Sequence, residues 1–351
     1  MGSFTMRRLG VIMSPNDDPN EAEGVLNPAS ARGRDGQLYL FPRLVAKGNE
    51  SRVGRARVRY DDQGDPCGVE RLGVVLEPEE SWESNARTGG VEDPRISHLP
   101  ALDAWIMTYA AYGPLRSRPG LAISEDLEHW ERLGPLSFAY DPALRTDLNL
   151  YPNKDVLIFG EPVPGPDGGL CYAALHRPTW DLSWVDPDEQ LRVPAGISET
   201  RDAIWVSYAP ASAVESDPSA LCRLFGHRQV AVSEQPWEKV KIGGGTPPVR
   251  VGEGWLHVYH GVDGHLEPNT DHQPNVRYSA GIMVHDPDDV ARLIYRSAEP
   301  VLQPELPEER QGIVPEVVFP TAIDLRSDGD ADVFYGMADS RIGAARLHIG
   351  G

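Results

Sequence analysis

No apolar run in this chain approaches the roughly 18 residues that a membrane-crossing helix needs; the longest, such as Leu170–Leu175, are far shorter. Cysteine is scarce. Cys67, Cys171 and Cys222 are odd in number, widely spaced and form no CxxC pair. That excludes a disulfide framework and a zinc knuckle and points to a reducing compartment. Met1–Asn20 lacks a charged-then-apolar leader with a small-residue cleavage site, so the cytoplasm is the expected location. Positive charge is in deficit, with 33 Lys and Arg against 53 Asp and Glu, a net charge of −20 and a pI near 4.9. A broad phosphate-backbone interface and adhesion to an anionic membrane are both excluded on that ground. Long amphipathic helical patterns are missing too. The clearest helical segment is short, at Asp288–Leu293, with Asp286-Pro287 as its start signal.

Other features are abundant. Hydrophobic residues make up 40% and charged residues 25% of the 351, which is globular composition. The length allows two ordinary domains or one large β-rich domain. There are 35 glycines and 32 prolines, together well above the roughly 12% average, so turns are frequent. Between the turns lie short β-rich runs: Leu38–Arg43, Trp105–Ala110, Leu170–Leu175, Ile204–Tyr208, Trp255–His260 and Val333–Ala338. Clusters such as Asp61–Pro66 and Pro164–Gly169 punctuate them. The units recur roughly every 50–70 residues, which suits a radial array of four-stranded antiparallel sheets. With Leu170 and Ile204 on neighbouring strands of one sheet, the count predicts an all-β, five-bladed β-propeller in one domain over residues 1–351. A pair of β-sandwiches is the alternative.

Several short motifs could carry chemistry. Val91-Glu-Asp-Pro-Arg-Ile96 packs two carboxylates and a guanidinium into four residues. Pro94 should push Asp93 into extended backbone, with Asp93 and Arg95 on one face. That suits a proton donor or a ligand for sugar hydroxyls, and equally a salt-bridged turn. Lys154, in Asn153-Lys-Asp155, stands at a strand mouth as a point charge suited to an anion, or as an ordinary surface lysine. His176-Arg177-Pro178 ends a strand with two more donors, or is simply a polar strand end. His257 and His260 fall on opposite faces of their strand and cannot share a metal; His260 is expected at the strand end. Gly243–Pro248 has no Lys-Ser/Thr after it, so it is a tight axial loop and not a P-loop. Asp339 closes an otherwise apolar face shared with Val333, Tyr335 and Met337, where a carboxylate needs a partner or solvent. Fingerprints for a nucleophile elbow, a HExxH zinc site, an EF-hand or a dinucleotide fold are absent. Carboxylates and a few cations remain, which is the chemistry of glycosyl transfer and not of redox or acyl transfer.

Taken in order, the motifs resemble glycoside hydrolase family 130, the β-mannoside phosphorylases and related β-mannosidases. The matching segments are Gly90–Ile96, Leu121–Trp130, Asn153–Asp155, His176–Pro178, Trp237–Gly243, Gly254–Val262, Gly312–Pro320 and Tyr335–Asp339. They cover about residues 25–347 and leave residues 1–20 as an N-terminal extension. The resemblance implies a five-bladed β-propeller. It implies Asp93 as catalytic acid; Asn27, Arg43 and Asp339 as sugar-binding residues; and Lys154, Arg177, His260 and Tyr278 as a phosphate-binding cluster. Arg145 is a further candidate. The implied reaction is inverting phosphorolysis of a β-mannoside to α-mannose 1-phosphate, with inorganic phosphate as co-substrate and no metal or other cofactor. An inverting β-mannosidase that uses water, or a sugar-binding propeller without catalysis, is the alternative. The expected partners are a β-mannoside or manno-oligosaccharide and phosphate, with no nucleic acid and no membrane; a homo-oligomer is compatible with the sequence. Lys154 and His260 favour phosphate as nucleophile, because several donors are needed to hold a dianion in so acidic a protein. Two departures stand out. Glu316 replaces a small amide, where it would repel phosphate or act as a base if it faced the pocket. Asp181–Arg201 adds extra residues.

Overall fold

The computed structural model describes residues 4–85, 88–182, 185, 191–252, 254–267 and 273–350; part of the Asp181–Arg201 segment lies outside them. The molecule is all-β with few helices. Its strands form four hydrogen-bonded sheets, nearly all antiparallel. The largest joins two meanders. One runs through Gly24–Arg32, Leu38–Ala46, Glu50–Tyr60 and Pro66–Leu76; the other through Gly89–Leu99, Ala104–Gly113, Arg116–Ser124 and Glu131–Pro135. Among the described residues, only the short parallel pairing of Glu50 and Ser51 with Gly89 and Gly90 connects them. A third meander holds Asn153–Ile158, Leu170–Pro178, Ile204–Pro210 and Arg223–Ala231, and a fourth Lys241–Gly244, Gly254–Gly264, Val276–His285 and Leu293–Arg296. The last sheet contains Val318–Leu325, Ala331–Met337 and Arg341–Ile349, and takes Phe4–Met13 as its outer strand. The chain's two ends therefore share one sheet. The six β-rich runs read from the sequence fall on strands, apart from Ala338 at the end of the last, and Leu170–Pro178 does pair with Ile204–Pro210.

Apolar side chains fill the spaces between successive meanders in five clusters. Phe41, Trp105 and Tyr109 lie between the first two. Leu121, Tyr172 and Trp205 follow, then Leu175, Trp237 and Tyr259, then Val258, Val318 and Val333. The fifth cluster, with Leu40, Ala322, Phe334 and Ala344, packs the last sheet against the first meander. Hydroxyls tie the first strands of neighbouring meanders together. Ser97 donates to the Ile158 carbonyl at 2.6 Å, Ser30 to that of Ile323 at 3.1 Å and Thr321 to that of Pro28 at 2.6 Å.

A buried acid recurs at the outer side of three meanders. Glu83 accepts from the Tyr109 hydroxyl (2.7 Å), Arg132 (2.9 Å) and the backbone N–H groups of Glu79 and Glu80. Glu238 repeats the pattern with Tyr259 (2.5 Å), Arg296 (2.6 Å), Glu234 and Gln235. Glu309 does so with Tyr335 (2.9 Å), Arg8 (2.9 Å), Glu305 and Leu306. All three glutamates are fully buried, and the donors satisfy what burial would otherwise leave costly.

Three local expectations fail. Asp288–Leu293 is a turn and not a helix. Asp286 accepts from the N–H groups of Asp288 and Asp289 and ties the segment into an Asx turn, while Arg292 N–H closes on the Asp289 carbonyl. The α-helices among the described residues are instead Ala211–Ser216 and Pro307–Arg310. His260 lies inside Gly254–Gly264, not at its end. The last run stops at Met337, because Ala338 and Asp339 turn into left-handed backbone (φ +46° and +50°) and break the alternation that would have put Asp339 on the Tyr335 face. Among the described residues, no helix is long and apolar enough to cross a membrane.

Candidate active site

The first strands of three meanders are each interrupted by an irregular step, and each step carries a polar residue in left-handed backbone. Asn27 (φ +42°) lies between Leu26 and Ala29, Asp93 (φ +47°) between Glu92 and Arg95, and Asp155 (φ +56°) between Lys154 and Leu157. Asn and Asp tolerate this conformation better than other residues with a Cβ. A bulge of this kind re-aims a side chain out of the pleat. Asp93 is thus not in the extended backbone expected from Pro94, and Asp93 and Arg95 do not share a face by simple alternation. Arg95 instead donates to the Asp93 carbonyl at 2.6 Å and to that of Gly245 at 3.1 Å.

Carboxylates gather on one side. Asp93 Oδ1 accepts from Asn27 Nδ2 at 2.8 Å and from Arg43 Nη1 at 3.2 Å. Arg43 also donates to Glu92 (2.9 Å) and, through Nε, to Ser51 (2.8 Å). Asn27 fits because residue 336 is glycine: a Cβ there would meet Asn27 Oδ1 at 2.0 Å. Burial pushes the Asp93 carboxyl up, but Arg43, Arg95, Lys154 and the Asn27 hydrogen bond outweigh it and hold it below the usual range. Asp339 goes the other way. Burial, with Asp93 and Glu92 nearby, raises it to about 6 against the pull of Arg43 and Lys154.

Cations gather on the other side around Asp155. Arg177 Nε reaches Asp155 Oδ2 at 2.6 Å, and its Nη1 reaches Asp202 at 2.5 Å. Arg95 Nη2 lies 3.7 Å from Asp155 Oδ1, and His260 Nε2 lies 3.8 Å from Oδ2. Burial would raise the Asp155 carboxyl, but Arg177, Arg95 and Lys154 hold it well below the usual range. Tyr278 joins the group, its ring centroid 5.9 Å from that of His260 and 5.7 Å from Lys241 Nζ. Burial lifts the Tyr278 hydroxyl to about 12. His260 is completely buried, and neither ring nitrogen has a hydrogen-bond partner among the described residues. Burial, with Arg177, Lys241 and Arg95 nearby, lowers it to about 3 despite Asp155, so the ring is neutral near pH 7. A neutral imidazole can donate from one ring nitrogen and accept at the other.

The structure therefore brings the sequence candidates into two adjoining halves: Asn27, Arg43, Asp93 and Asp339 in one, and Arg177, His260 and Tyr278 in the other. Lys154 acts electrostatically on both, since its charge bears on Asp93, Asp339, Asp155 and Tyr278. Sequence reasoning missed Arg95, Asp155, Asp202 and Lys241. Asp155 and Lys241 lay inside segments that had been singled out, but nothing local marked them as facing one another. Glu316 directs its carboxylate to Arg310 (3.7 Å) and lends only its carbonyl to the site, accepting from Tyr278 N–H at 2.9 Å. Arg145 is exposed in the turn bridged by Asp141 and Thr146. Among the described residues no three His, Cys, Asp or Glu side chains converge as a metal site.

The family model described as beta-1,4-mannooligosaccharide phosphorylase matches residues 200–350. The 1,2-beta-oligomannan phosphorylase of Thermoanaerobacter sp. (strain X514) is 28% identical over 344 residues, covering 97% of this chain and 95% of that protein. The beta-1,2-mannobiose phosphorylase of the same organism is 30% identical over 271 residues, covering 76% and 68%. The fold is like that of the solved beta-1,2-mannobiose phosphorylase from Listeria innocua in complex with beta-1,2-mannobiose, with a TM-score of 0.70, 20% identity and coverage of 98% and 96%. With carboxylates and buried cations meeting in one site, and with relatives of this length and identity, the chain belongs to glycoside hydrolase family 130.

Proposed function

We propose that this protein is an inverting glycoside phosphorylase that cleaves a β-mannoside with inorganic phosphate to give α-mannose 1-phosphate and a shortened acceptor. In this reading the meanders are the five blades of one propeller domain. Support comes from five apolar layers, each between successive meanders and the fifth returning from last to first. The outer strand from the N-terminus then closes the last blade.

The observation that carries the functional reading is His260: buried, neutral and unpartnered, beside Arg177, Lys241 and Tyr278. Water as nucleophile would need a free carboxylate base there, whereas Asp155 and Asp202 are both bound by Arg177. Phosphate is already anionic and needs donors instead, and charge-assisted donors are the strong ones. Lys154, Arg177, Lys241, His260 and Tyr278 would hold the anion, with Asp155 fixing Arg177 in place. Asn27, Arg43 and Asp339 would hold the mannosyl unit so that its C1 faces the anion. Asp93 would give a proton to the leaving oxygen on the opposite face while a phosphate oxygen bonds to C1, which inverts the centre. The pairing of the Glu316 carboxylate with Arg310 supports a reading in which it is not the base that hydrolysis requires. The names of the two Thermoanaerobacter relatives favour β-1,2 over β-1,4 linkages.

Incubation with β-1,2- and β-1,4-mannobiose, with and without phosphate, tests this. Mannose 1-phosphate formed only when phosphate is present is the expected result. Free mannose released at equal rates in both buffers would replace phosphorolysis with hydrolysis.

A further inference from the structure

Two features of the sequence have no role so far: the N-terminal extension, and a glutamate at 316 where a small amide is expected. Both lie on one path through the structure. Glu316 stands in left-handed backbone (φ +58°), a conformation that asparagine tolerates better than glutamate. Its carbonyl accepts from Tyr278 N–H at 2.9 Å, in the anion half of the site. The next carbonyl, that of Val317, accepts from Ala338 N–H at 3.0 Å, one residue before Asp339 in the sugar half. Two consecutive peptide groups therefore tether the backbone at Tyr278 to the turn that carries Asp339.

That tether is held from the N-terminal strand. Val317 N–H donates to the Glu309 carbonyl at 2.9 Å. The buried Glu309 carboxylate accepts twice from Arg8, at 2.9 and 3.1 Å, beside its bonds from Tyr335 and two backbone N–H groups. Arg8 lies on Phe4–Met13 and also donates to the Glu305 carboxylate at 2.9 Å and to the Gln303 carbonyl at 2.5 Å. One guanidinium thus pins the connection into Val318–Leu325 at residues 303, 305 and 309. The connection also packs directly on the turn before Asp339, since a Cβ on Gly312 would meet the Ala338 carbonyl oxygen at 2.0 Å. The Glu83 and Glu238 groups take their arginines, Arg132 and Arg296, from later in the same meander. The Glu309 group takes Arg8 from the far end of the chain.

We propose that Arg8 is a positioning residue: by fixing Glu309 it sets the spacing between Tyr278 and Asp339, and with it the alignment of the anion on the mannosyl C1. Alignment is sensitive at this scale, because a misplacement of about 1 Å caused far from the chemistry can cost about 100-fold in rate. The other members of each half are held independently of this tether. Arg177 is fixed by Asp155 and Asp202, and Asn27 and Arg43 are fixed by Asp93. Each half therefore keeps most of its ligand contacts when Arg8 is lost, and the register between the halves is what changes. This inference rests on the reading of the halves as a sugar site and a phosphate site.

Steady-state kinetics of Arg8→Ala with phosphate and a β-mannobiose test it, well below the variant's Tm and with active sites counted by calorimetric titration of phosphate. Both KM values should stay within about threefold of wild type, while kcat per active site falls about 10- to 100-fold. Arg8→Lys, which keeps the charge and only part of the donor set, should fall between. Arg346→Ala is the control for general loosening. Arg346 is a buried arginine of the same sheet, bonded to Asp332 at 2.7 Å and to Asp65 at 2.8 Å, and neither partner belongs to the tether. Its loss should lower Tm yet leave kcat within about twofold. A kcat unchanged in Arg8→Ala, a KM that rises beyond about threefold, or an equal fall of kcat in Arg346→Ala overturns the inference and leaves the phosphorylase reading standing. If Arg8→Ala does not fold, Arg8→Lys decides, and a kcat equal to wild type overturns the inference. Wild-type protein that forms no mannose 1-phosphate overturns the phosphorylase reading itself.

Discussion

Lys154→Ala is the perturbation that separates the two halves of the site. The ammonium has no ion-pair partner among the described residues, so its loss breaks no ion pair. Stability should change by less than about 1 kcal/mol and Tm by less than about 3 °C. Phosphate, however, loses one charge-assisted contact, worth roughly 1.5–3 kcal/mol. At about 1.4 kcal/mol per decade, the apparent KM for phosphate should rise about 10–150-fold. The KM for the mannoside should move less than about threefold, because Lys154 touches the sugar side only through its field. That field leaves a second signature. Lys154 holds Asp93 down, so its removal should shift the alkaline limb of the rate profile, where the acid loses its proton, to higher pH. Initial rates over a grid of phosphate, mannoside and pH measure all three effects. Equal changes in both KM values, or a phosphate KM that does not move, would refute the assignment of Lys154 to the anion.

Asp93→Asn should lose about 10²- to 10⁴-fold in turnover with its fold intact by circular dichroism, the scale of a missing general acid; near-normal turnover would remove Asp93 from the mechanism. Glu238→Ala leaves the buried Tyr259 hydroxyl without its acceptor and takes one carboxylate from Arg296, which keeps Glu234 and the Val232 carbonyl, so a loss of about 2–4 kcal/mol and a Tm lower by about 3–8 °C are expected by thermal denaturation, with little change in KM. Asp339→Asn should stabilise the unliganded protein more at pH 8 than at pH 4. The folded carboxyl titrates near 6 against 3.8 for the ordinary group, so the folded state binds more protons between those values. Stability is therefore lost as pH rises through that window, and an amide abolishes the loss. A Tm gain that is the same at both pH values would contradict this sign.

Much of the framework was legible from local pattern. Strand runs such as Trp105–Ala110 and Trp255–His260 combine β-branched and aromatic residues at strand length, and the sheets use them as expected. The family resemblance grouped Asn27, Arg43, Asp93 and Asp339 as one set and Lys154, Arg177, His260 and Tyr278 as a second. What escaped was set by contacts between distant strands. Asp155 is an ordinary aspartate until Arg177 folds back on it from the next strand and Arg95 and His260 approach from two other meanders. Lys241 is one of two lysines in Trp237–Gly243, and only the ring of Tyr278 beneath it distinguishes it from Lys239. The conformation of Asp93 was misread because the rule for residues before proline is local, whereas the bulge between Glu92 and Arg95 is imposed by pairing with Ala104–Gly113. The buried glutamates were invisible for a like reason: Glu83, Glu238 and Glu309 find their Tyr and Arg partners well away in sequence.

The most direct measurement follows the bridging oxygen. Reaction of a β-mannobiose with phosphate labelled at all four oxygens with ¹⁸O, followed by ³¹P and ¹H NMR, reports which bond forms and on which face. If the cluster of Lys154, Arg177, Lys241, His260 and Tyr278 holds phosphate for attack at C1, mannose 1-phosphate will appear as the α-anomer with all four labelled oxygens retained on phosphorus. Free mannose accumulating at a rate indifferent to phosphate, with no labelled ester formed, would contradict the account at its centre.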